Sequence, residues 1–428
     1  MLRYDAAGTR LVDSELQINA DQQDTVVVAP DGAGGVYALF SFHSGAHLRR
    51  YDASGALLWS QQAPRYASLF NRNGDAVLIY STSSGVLLRR VRPDGTLLYE
   101  RQYPQIQNFP EAQQDRTGNI YLYTYQNILA CINASDQLAW AIALPSEAER
   151  FGVFDGGVYL ALRASDGSRR LVRYSTTGSL LWELPLGTAY VRNLTVDAQG
   201  NVSVLQYLSS TLCRIASYTA SGALRWQREV ADNLVRLDSA RANRLYAVGV
   251  RENRYFLQAY DAQGQLLWEQ PMPLLETRHE MLVSTQVDSL NRAYVQATGS
   301  TAAGRLDQLH ILCYSSEGQL LGQVVLEQPN TVRQFTHYTL LLDAPSRRLL
   351  SRGQFSRAEG GGTDAFVSVY RLITPDVDSN GCVDDADLLL VLFAFGQTGS
   401  GLPADVNADG IVDDADLLTV LFGFGEGC

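Results

Sequence analysis

A ten-residue pattern returns along most of the chain: "RYDASGALLW" ends at Trp59, "RVRPDGTLLY" at Tyr99, "CINASDQLAW" at Trp140, "RYSTTGSLLW" at Trp182, "SYTASGALRW" at Trp226 and "AYDAQGQLLW" at Trp268. Weaker copies open the chain, "RYDAAGTRLV", and end at Gly322, "CYSSEGQLLG". The turn residues Gly8, Gly55, Gly95, Asp136, Gly178, Gly222, Gly264 and Gly318 lie 40 to 54 residues apart. A period of that length marks a propeller or solenoid, in which a unit too small to bury its own apolar face is stacked many times. Each copy reads as an apolar-alternating strand, an Asp/Ser/Gly turn and a second strand, the signature of a hairpin. Between copies lies a second hairpin with its own turn, as in "APDGAGGVYALF", "DRTGNIYLYTY", "VDAQGNVSVLQ" and "VDSLNRAYVQA". Two hairpins supply four strands, the content of one propeller blade.

Eight such first hairpins lie near Asp31, Asn73, Asp115, Asp155, Asp197, Asp238, Asp288 and Asp343. They predict an all-β, eight-bladed β-propeller of four-stranded blades over residues 1–373. All five tryptophans stand four positions after the turn residue, which makes them the expected packing anchors where blades meet. The last blade's third strand is expected at residues 365–372, "AFVSVYRL", with no fourth strand after it. "TRLVDSEL" near the N-terminus is expected to supply that strand and remove an exposed sheet edge. "MLRYD" before it resembles a further third strand, so either it lies outside the ring or the chain is a fragment of a longer secreted protein.

At these residues the chain resembles the PQQ-like, quinoprotein-type β-propeller repeats, in which an alanine-aspartate-threonine-glycine turn precedes a tryptophan. The turn from Asp52 to Gly55 is one residue tighter here, while the spacing from Gly55 to Trp59 is kept. A quinone enzyme of that family needs adjacent cysteines, a stacking tryptophan and a calcium-bound acidic cluster within the ring. No two cysteines are adjacent and every tryptophan is a repeat anchor. The resemblance therefore implies the fold and not the redox chemistry.

Residues 374–428 differ from everything before them. "DVDSNGCVDDADLLLVLFAFG" begins at Asp376 and "DVNADGIVDDADLLTVLFGFG" begins 29 residues later at Asp405. Against a twelve-residue calcium loop, Asp405, Asn407, Asp409, Asp413 and Asp416 fall at positions 1, 3, 5, 9 and 12, with Gly410 at the sharp turn. Asp376, Asp378, Asn380, Asp384 and Asp387 fall at the same offsets in the first copy, with Gly381 at its turn. Position 7 offers a backbone carbonyl, from Cys382 and from Ile411. Alternating short oxygen-bearing side chains suit a hard cation that takes six to eight oxygens, so two calcium ions are the expected cofactors. Both copies carry Asp at position 12 where the usual motif has Glu, and the helix before each loop is missing.

With the duplication, those departures resemble the type I dockerin, a calcium-dependent module of secreted and cell-surface proteins. The resemblance implies a small α-helical domain that docks to a cohesin-like partner, and an extracellular or cell-surface location. The best-known dockerins carry a Ser/Thr pair at loop positions 10 and 11 and basic residues further along. Here those positions are Asp385-Ala386 and Asp414-Ala415, followed by "LLLVLFAFG" and "LLTVLFGFG". A helix apolar on nearly every side has to be covered. Leu392, Phe393, Leu421 and Phe422 are thus expected either to fill the module's core or to dock against a cohesin-like protein or the chain's own propeller.

Charge divides the same way. The 34 basic residues are all arginine and are balanced by 34 acidic residues before Asp376, so the formal charge of -11 resides in the tail. The absence of lysine excludes Schiff-base, P-loop and Ser-Lys chemistry. A balanced body with an acidic end has no electrostatic footprint for nucleic acid. No run of 18 apolar residues predicts a membrane span, and "MLRYDAAGTR" is not a charged-then-apolar leader. Cys131, Cys213 and Cys313 lie on apolar-alternating segments and are read as buried small hydrophobes. Cys382 and Cys428 flank the tail, where a disulfide would suit a secreted module too small to rely on its core alone. His43, His47, His279, His310 and His337 form no metal-ligand spacing, and no catalytic carboxylate pair stands out from the turn aspartates. The function expected is a secreted, non-enzymatic binding or scaffold protein with an unknown ligand on its propeller loops. The alternatives are a polysaccharide-degrading hydrolase or lyase carrying a dockerin, or a propeller dehydrogenase.

Overall fold

The structure, a computed structural model, describes residues 2–4, 10–13, 23–42, 45–53, 55–109, 111–239, 244–252, 254–273, 283–299, 308–327, 332–343, 347–357, 363–372, 374–399, 402–407 and 409–428. The chain is an eight-bladed β-propeller with two short helices at its C-terminus. Blades 1 to 7 span residues 23–63, 68–103, 111–143, 147–187, 190–230, 233–271 and 283–327, each with four antiparallel strands in sequence order. Blade 8, residues 332–371, has three. All eight first hairpins lie where the repeat places them.

Second strands such as Val36–Phe42 and Ile120–Tyr123 are buried along their whole length, because neighbouring sheets cover both of their faces. Fourth strands such as Leu57–Ala63 are at most half-buried and alternate. By their internal contacts, residues 66–92 and 96–273 form one compact unit, and residues 1–65, 93–95 and 274–428 another. In the first, the leading strands of successive blades lie side by side: Ser68–Arg72, Glu111–Gln114, Glu147–Phe154, Tyr190–Val196 and Asn233–Ser239. In the second, Val283–Val287 lies against Val332–Asp343, and Gln23–Pro30 lies against Thr363–Arg371.

The N-terminus departs from expectation. Arg10–Asp13 pairs with Leu2–Tyr4 in a hairpin of its own, and Leu2–Tyr4 is the strand beside Thr363–Arg371. "TRLVDSEL" therefore does not supply the missing strand of blade 8. Pairing across a short connection loses far less chain entropy than pairing across the whole sequence. Residues 9 and 14–16 of that stretch lie outside the described residues.

The repeated turn is a tight loop closed by two backbone bonds. In blade 4, Ser175 N–H donates to Ser179 at 2.9 Å and Gly178 N–H donates to Ser175 at 3.1 Å. Gly178 has a φ of 81°, a region that glycine occupies without a Cβ clash. The tryptophan of the preceding blade lies over this turn. A Cβ on Gly95, Gly178, Gly222 or Gly264 would stand 3.2, 2.8, 3.1 or 2.4 Å from the ring of Trp59, Trp140, Trp182 or Trp226. The indole N–H groups of Trp59, Trp140 and Trp182 donate to the carbonyls of Pro93, Thr176 and Ala220 at 2.8, 2.7 and 2.9 Å. The tryptophans are thus the inter-blade anchors that the repeat predicts.

Blade 2 carries Tyr99 in place of tryptophan, and the turn it reaches carries Asp136 in place of glycine. The Tyr99 hydroxyl donates to Asp136, and Asp136 adopts the same left-handed turn at φ 57°. The carboxylate is fully buried and also pairs with Arg72 and Arg90. A smaller ring with a hydroxyl is matched by a turn residue that accepts from it.

Candidate functional site

The tail is built from two copies of one loop-helix unit. Helix α1 (Asp385–Ala394) and helix α2 (Asp414–Phe422) each begin in a capping box. In α1, Asp384 accepts from Ala386 N–H at 2.8 Å while Asp387 accepts from Asp384 N–H at 3.0 Å. In α2, Asp413 and Asp416 do the same at 2.9 and 3.0 Å. Position 9 of each loop is therefore the helix N-cap, and its side chain faces the first turn.

Around the expected cation positions the two copies share several backbone-to-side-chain hydrogen bonds. Gly381 and Gly410, at φ 98° and 94°, donate to Oδ2 of Asp376 and Asp405, each at 3.1 Å. Asn380 N–H donates to Asp378 and Asp409 N–H to Asn407, each at 2.9 Å. Cys382 and Ile411 donate to the side chains of Asn380 and Asp409 at 2.7 and 2.9 Å. Oxygens of Asp376, Asp378 and Asp387 lie within 4.8 Å of one another. Asp376, Asp387, Asp405 and Asp416 are completely buried. Oδ1 of Asp376 and Oδ1 of Asp405 have no hydrogen-bond partner. Burial pushes the Asp376 carboxyl up, eased by the Ser289 hydroxyl and reinforced by the Asp387 charge. Each loop thus holds, at position 1, one buried carboxylate oxygen without a hydrogen-bond partner among other short oxygen donors, a donor set that fits calcium.

The end of each unit closes over the other's loop. Gly396 N–H donates to Val412 and Val412 N–H to Gln397, at 2.8 and 2.9 Å. Gly425 N–H donates to Val383 and Val383 N–H to Glu426 at the same two distances. Cys382 and Cys428 are bridged, with Cα atoms 4.6 Å apart. The interior is a valine cluster, Val377, Val383, Val391, Val406, Val412 and Val420, completed by Leu290 from the first turn of blade 7.

Contacts between tail and propeller run through the loops. Ser289 Oγ–H donates to Asp376 Oδ2 at 2.5 Å, and Arg371 donates to Asp405 Oδ2 at 3.3 Å and Leu402 O at 3.2 Å. Arg347 donates to Thr374 O and Pro403 O, the carbonyls two residues ahead of Asp376 and Asp405. One buried guanidinium thus holds the same point of both copies. Burial and the Arg371 charge pull Arg347 down to about 10, against the attraction of Asp405, Asp376 and Asp416, so it remains a cation at neutral pH. The sequence reading missed Ser289, Arg347 and Arg371. No motif marks them: Arg347 sits at φ 46° in the turn before the second strand of blade 8, a backbone conformation that its residue type does not announce.

Leu392, Phe393, Leu421 and Phe422 lie outside the buried valine cluster. They are 46%, 81%, 47% and 86% exposed. Leu389, Leu390, Phe395, Leu418 and Phe424 extend the exposed apolar surface. Val391 and Val420 supply the buried stripe, because the loop-side face of each helix packs on the valine cluster.

A model of the PQQ_2 family, described as outer membrane protein assembly factor BamB, matches residues 125–331. Residues 125–331 are thus similar to PQQ-like propeller repeats. Among solved structures, BamB from Moraxella catarrhalis is 16% identical with a TM-score of 0.50, covering 82% of this chain and 99% of that one. The C-terminal WD40 domain of Sif2 is 12% identical with a TM-score of 0.52, covering 83% and 97%. At such identities the likeness is one of fold. No curated protein matches the chain. Within the propeller, Cys131, Cys213 and Cys313 are buried or half-buried thiols raised by desolvation, Cys131 to about 12 and Cys313 to about 11. No helix among the described residues is long and apolar enough to cross a membrane.

Proposed function

We propose that the chain is an extracellular binding or scaffold protein whose C-terminal module binds two calcium ions and docks to a cohesin-like protein. The observation that carries this reading is the pair of buried, unpartnered oxygens, Asp376 Oδ1 and Asp405 Oδ1, at equivalent points of two superposable loops. Asp376, Asp378, Asn380, Asp387 and the Cys382 carbonyl would hold one ion. Asp405, Asn407, Asp409, Asp416 and the Ile411 carbonyl would hold the other. Asp384 and Asp413 would act through water, since their carboxylates cap the helices. Bound calcium supplies charge: it offsets carboxylates whose mutual repulsion opposes the compact loop, so binding and folding of the module are linked.

The exposed faces of α1 and α2 support a docking role. Phe393 and Phe422 are equivalent residues of the two copies, so a partner meets similar apolar faces on both helices. A patch of this kind on a folded module marks an interaction surface. The matched family description names an assembly factor, and the present reading is likewise of a binding protein.

Calorimetry of the full chain with calcium tests the first half. Two equivalents of calcium should bind, and Asp376→Ala with Asp405→Ala should abolish the heat. A flat titration of the unsubstituted chain sinks the reading. For the second half, Phe393→Ala with Phe422→Ala should leave calcium binding and melting intact while eliminating association with a cohesin domain.

A further inference from the structure

In blade 7 the repeat breaks at one residue, Gly322. Across the third and fourth strands, Arg50 faces Trp59, Cys131 faces Trp140, Arg173 faces Trp182, Ser217 faces Trp226 and Ala259 faces Trp268. In the same register Cys313 faces Gly322. The place of the indole is a cavity of about 160 Å³ whose walls include Tyr294, Ile311, Gly322, Leu349, Tyr370 and Leu372.

The rest of the indole's surroundings are retained. Tyr37, Tyr121, Tyr159 and Tyr246 lie beside the tryptophans of their own blades, with centroids 6.0, 6.0, 5.6 and 5.9 Å apart. Tyr294 is their counterpart, one residue beyond the Ala293–Tyr314 pair as Tyr37 is one beyond Val36–Tyr51. Asp288 fixes it, accepting from its hydroxyl at 3.0 Å, much as Asp115 accepts from Tyr121. Leu372, two residues past Tyr370, holds the place of Pro93, whose carbonyl accepts the Trp59 N–H. What is missing opposite is the hairpin turn that a tryptophan would cover, because blade 8 ends after its third strand and the chain leaves for the tail.

We propose that this slot binds one indole-type ring: flat, bicyclic, apolar and carrying a single N–H donor. An apolar cavity of about 150 Å³ is enough to take a benzene-sized ring, and here the cavity opens at the surface. Tyr294 and Tyr370 offer aromatic contact, and the Leu372 carbonyl, in the place of Pro93, suits a single N–H donor. Such a ring arrives either as a free heteroaromatic molecule or as the tryptophan side chain of a peptide. The proposal does not depend on calcium or on docking by the tail.

The test titrates the full chain with indole and, separately, with the peptide Gly-Gly-Trp-Gly-Gly, following heat and thermal midpoint. Indole should bind saturably at one equivalent and raise the midpoint. Gly322→Trp puts the repeat's own side chain in the slot and should abolish binding without lowering the midpoint, since Gly322 lies in an extended strand. If that variant does not fold, Gly322→Leu fills part of the slot and should weaken indole binding. Binding of indole alone identifies a free ligand, and binding of both identifies a presented side chain. Absence of saturable indole binding overturns the proposal, as does undiminished indole binding by the plugged variant.

Discussion

His310 is held as a neutral imidazole. Gln323 donates to its Nδ1 at 2.8 Å and its Nε2 faces the Gln308 carbonyl oxygen at 3.0 Å, a pairing that uses one ring nitrogen as acceptor and the other as donor. A Cβ on Gly299 would stand 2.4 Å from Nε2, so the ring packs directly against that glycine. Burial pulls its pKa down to about 4. Above pH 6.5 folded and unfolded chains both hold the ring neutral. Between about 4 and 6.5 the unfolded chain takes up a proton that the folded chain refuses, so stability falls as pH falls. The loss should reach roughly 2 to 3 kcal/mol by pH 4.5. Denaturant melts at pH 7.5 and 4.5 measure it: His310→Gln should lose less than the unsubstituted chain by about that amount, and equal losses would refute the assignment. The sequence gives no hint of this histidine's role, because its two partners lie on its own and the neighbouring strand and carry no motif.

At the scale of the element, the hairpin turn and the aromatic that covers it vary together. Four tryptophans lie on glycines, while Tyr99 donates to Asp136. Asp136→Gly relieves a left-handed turn but leaves Arg72, a buried cation, without its carboxylate, and should cost roughly 3 to 5 kcal/mol. Tyr99→Trp alone forces a larger ring against the carboxylate. Together they restore the ring-on-glycine contact of the other blades, so the double variant should be more stable than the sum of the singles predicts by roughly 1 kcal/mol or more. Chemical denaturation of the four proteins closes the cycle, and additivity within about 0.5 kcal/mol rejects the coupling. Elements of this kind are legible in sequence because turn and anchor lie at a fixed spacing within each ten-residue pattern. The eight hairpins and the two tail loops follow from such spacing. The pairing of Arg10–Asp13 with Leu2–Tyr4 does not, since two apolar segments competed for one edge and periodicity is blind to which wins. Nor could pattern alone decide which face of α1 and α2 is buried: both are apolar nearly all round, and the valine positions are set by contact with the loops and Leu290.

Across the whole molecule, the decisive residue is an arginine in a backbone region that favours glycine. Arg347 adopts a φ of 46°, the left-handed region that Gly118 and Gly200 occupy in the turns of other blades, where a side chain is strained. Its guanidinium reaches Thr374 O and Pro403 O, equivalent points of the two tail copies, while its own carbonyl accepts from Leu372 N–H at 2.8 Å. The turn of blade 8 therefore carries strain that a glycine would not, and the tail is what that strain secures. Arg347→Gly separates the two effects. The turn should relax and the propeller should be no less stable, but the two carbonyls lose a charged donor in a buried place, worth roughly 3 kcal/mol to the attachment of the tail. Because one side chain serves both copies, both loops should loosen together. Hydrogen exchange of the full chain measures this directly: the amides of Gly381 and Gly410, which donate to Asp376 and Asp405, should speed up in parallel while those of blades 3 to 5 stay protected. Acceleration at one loop alone would mean that Arg371 or Ser289, each bound to a single copy, carries the attachment instead. No acceleration at either would mean that Leu290 packed in the valine cluster holds the tail without the arginine.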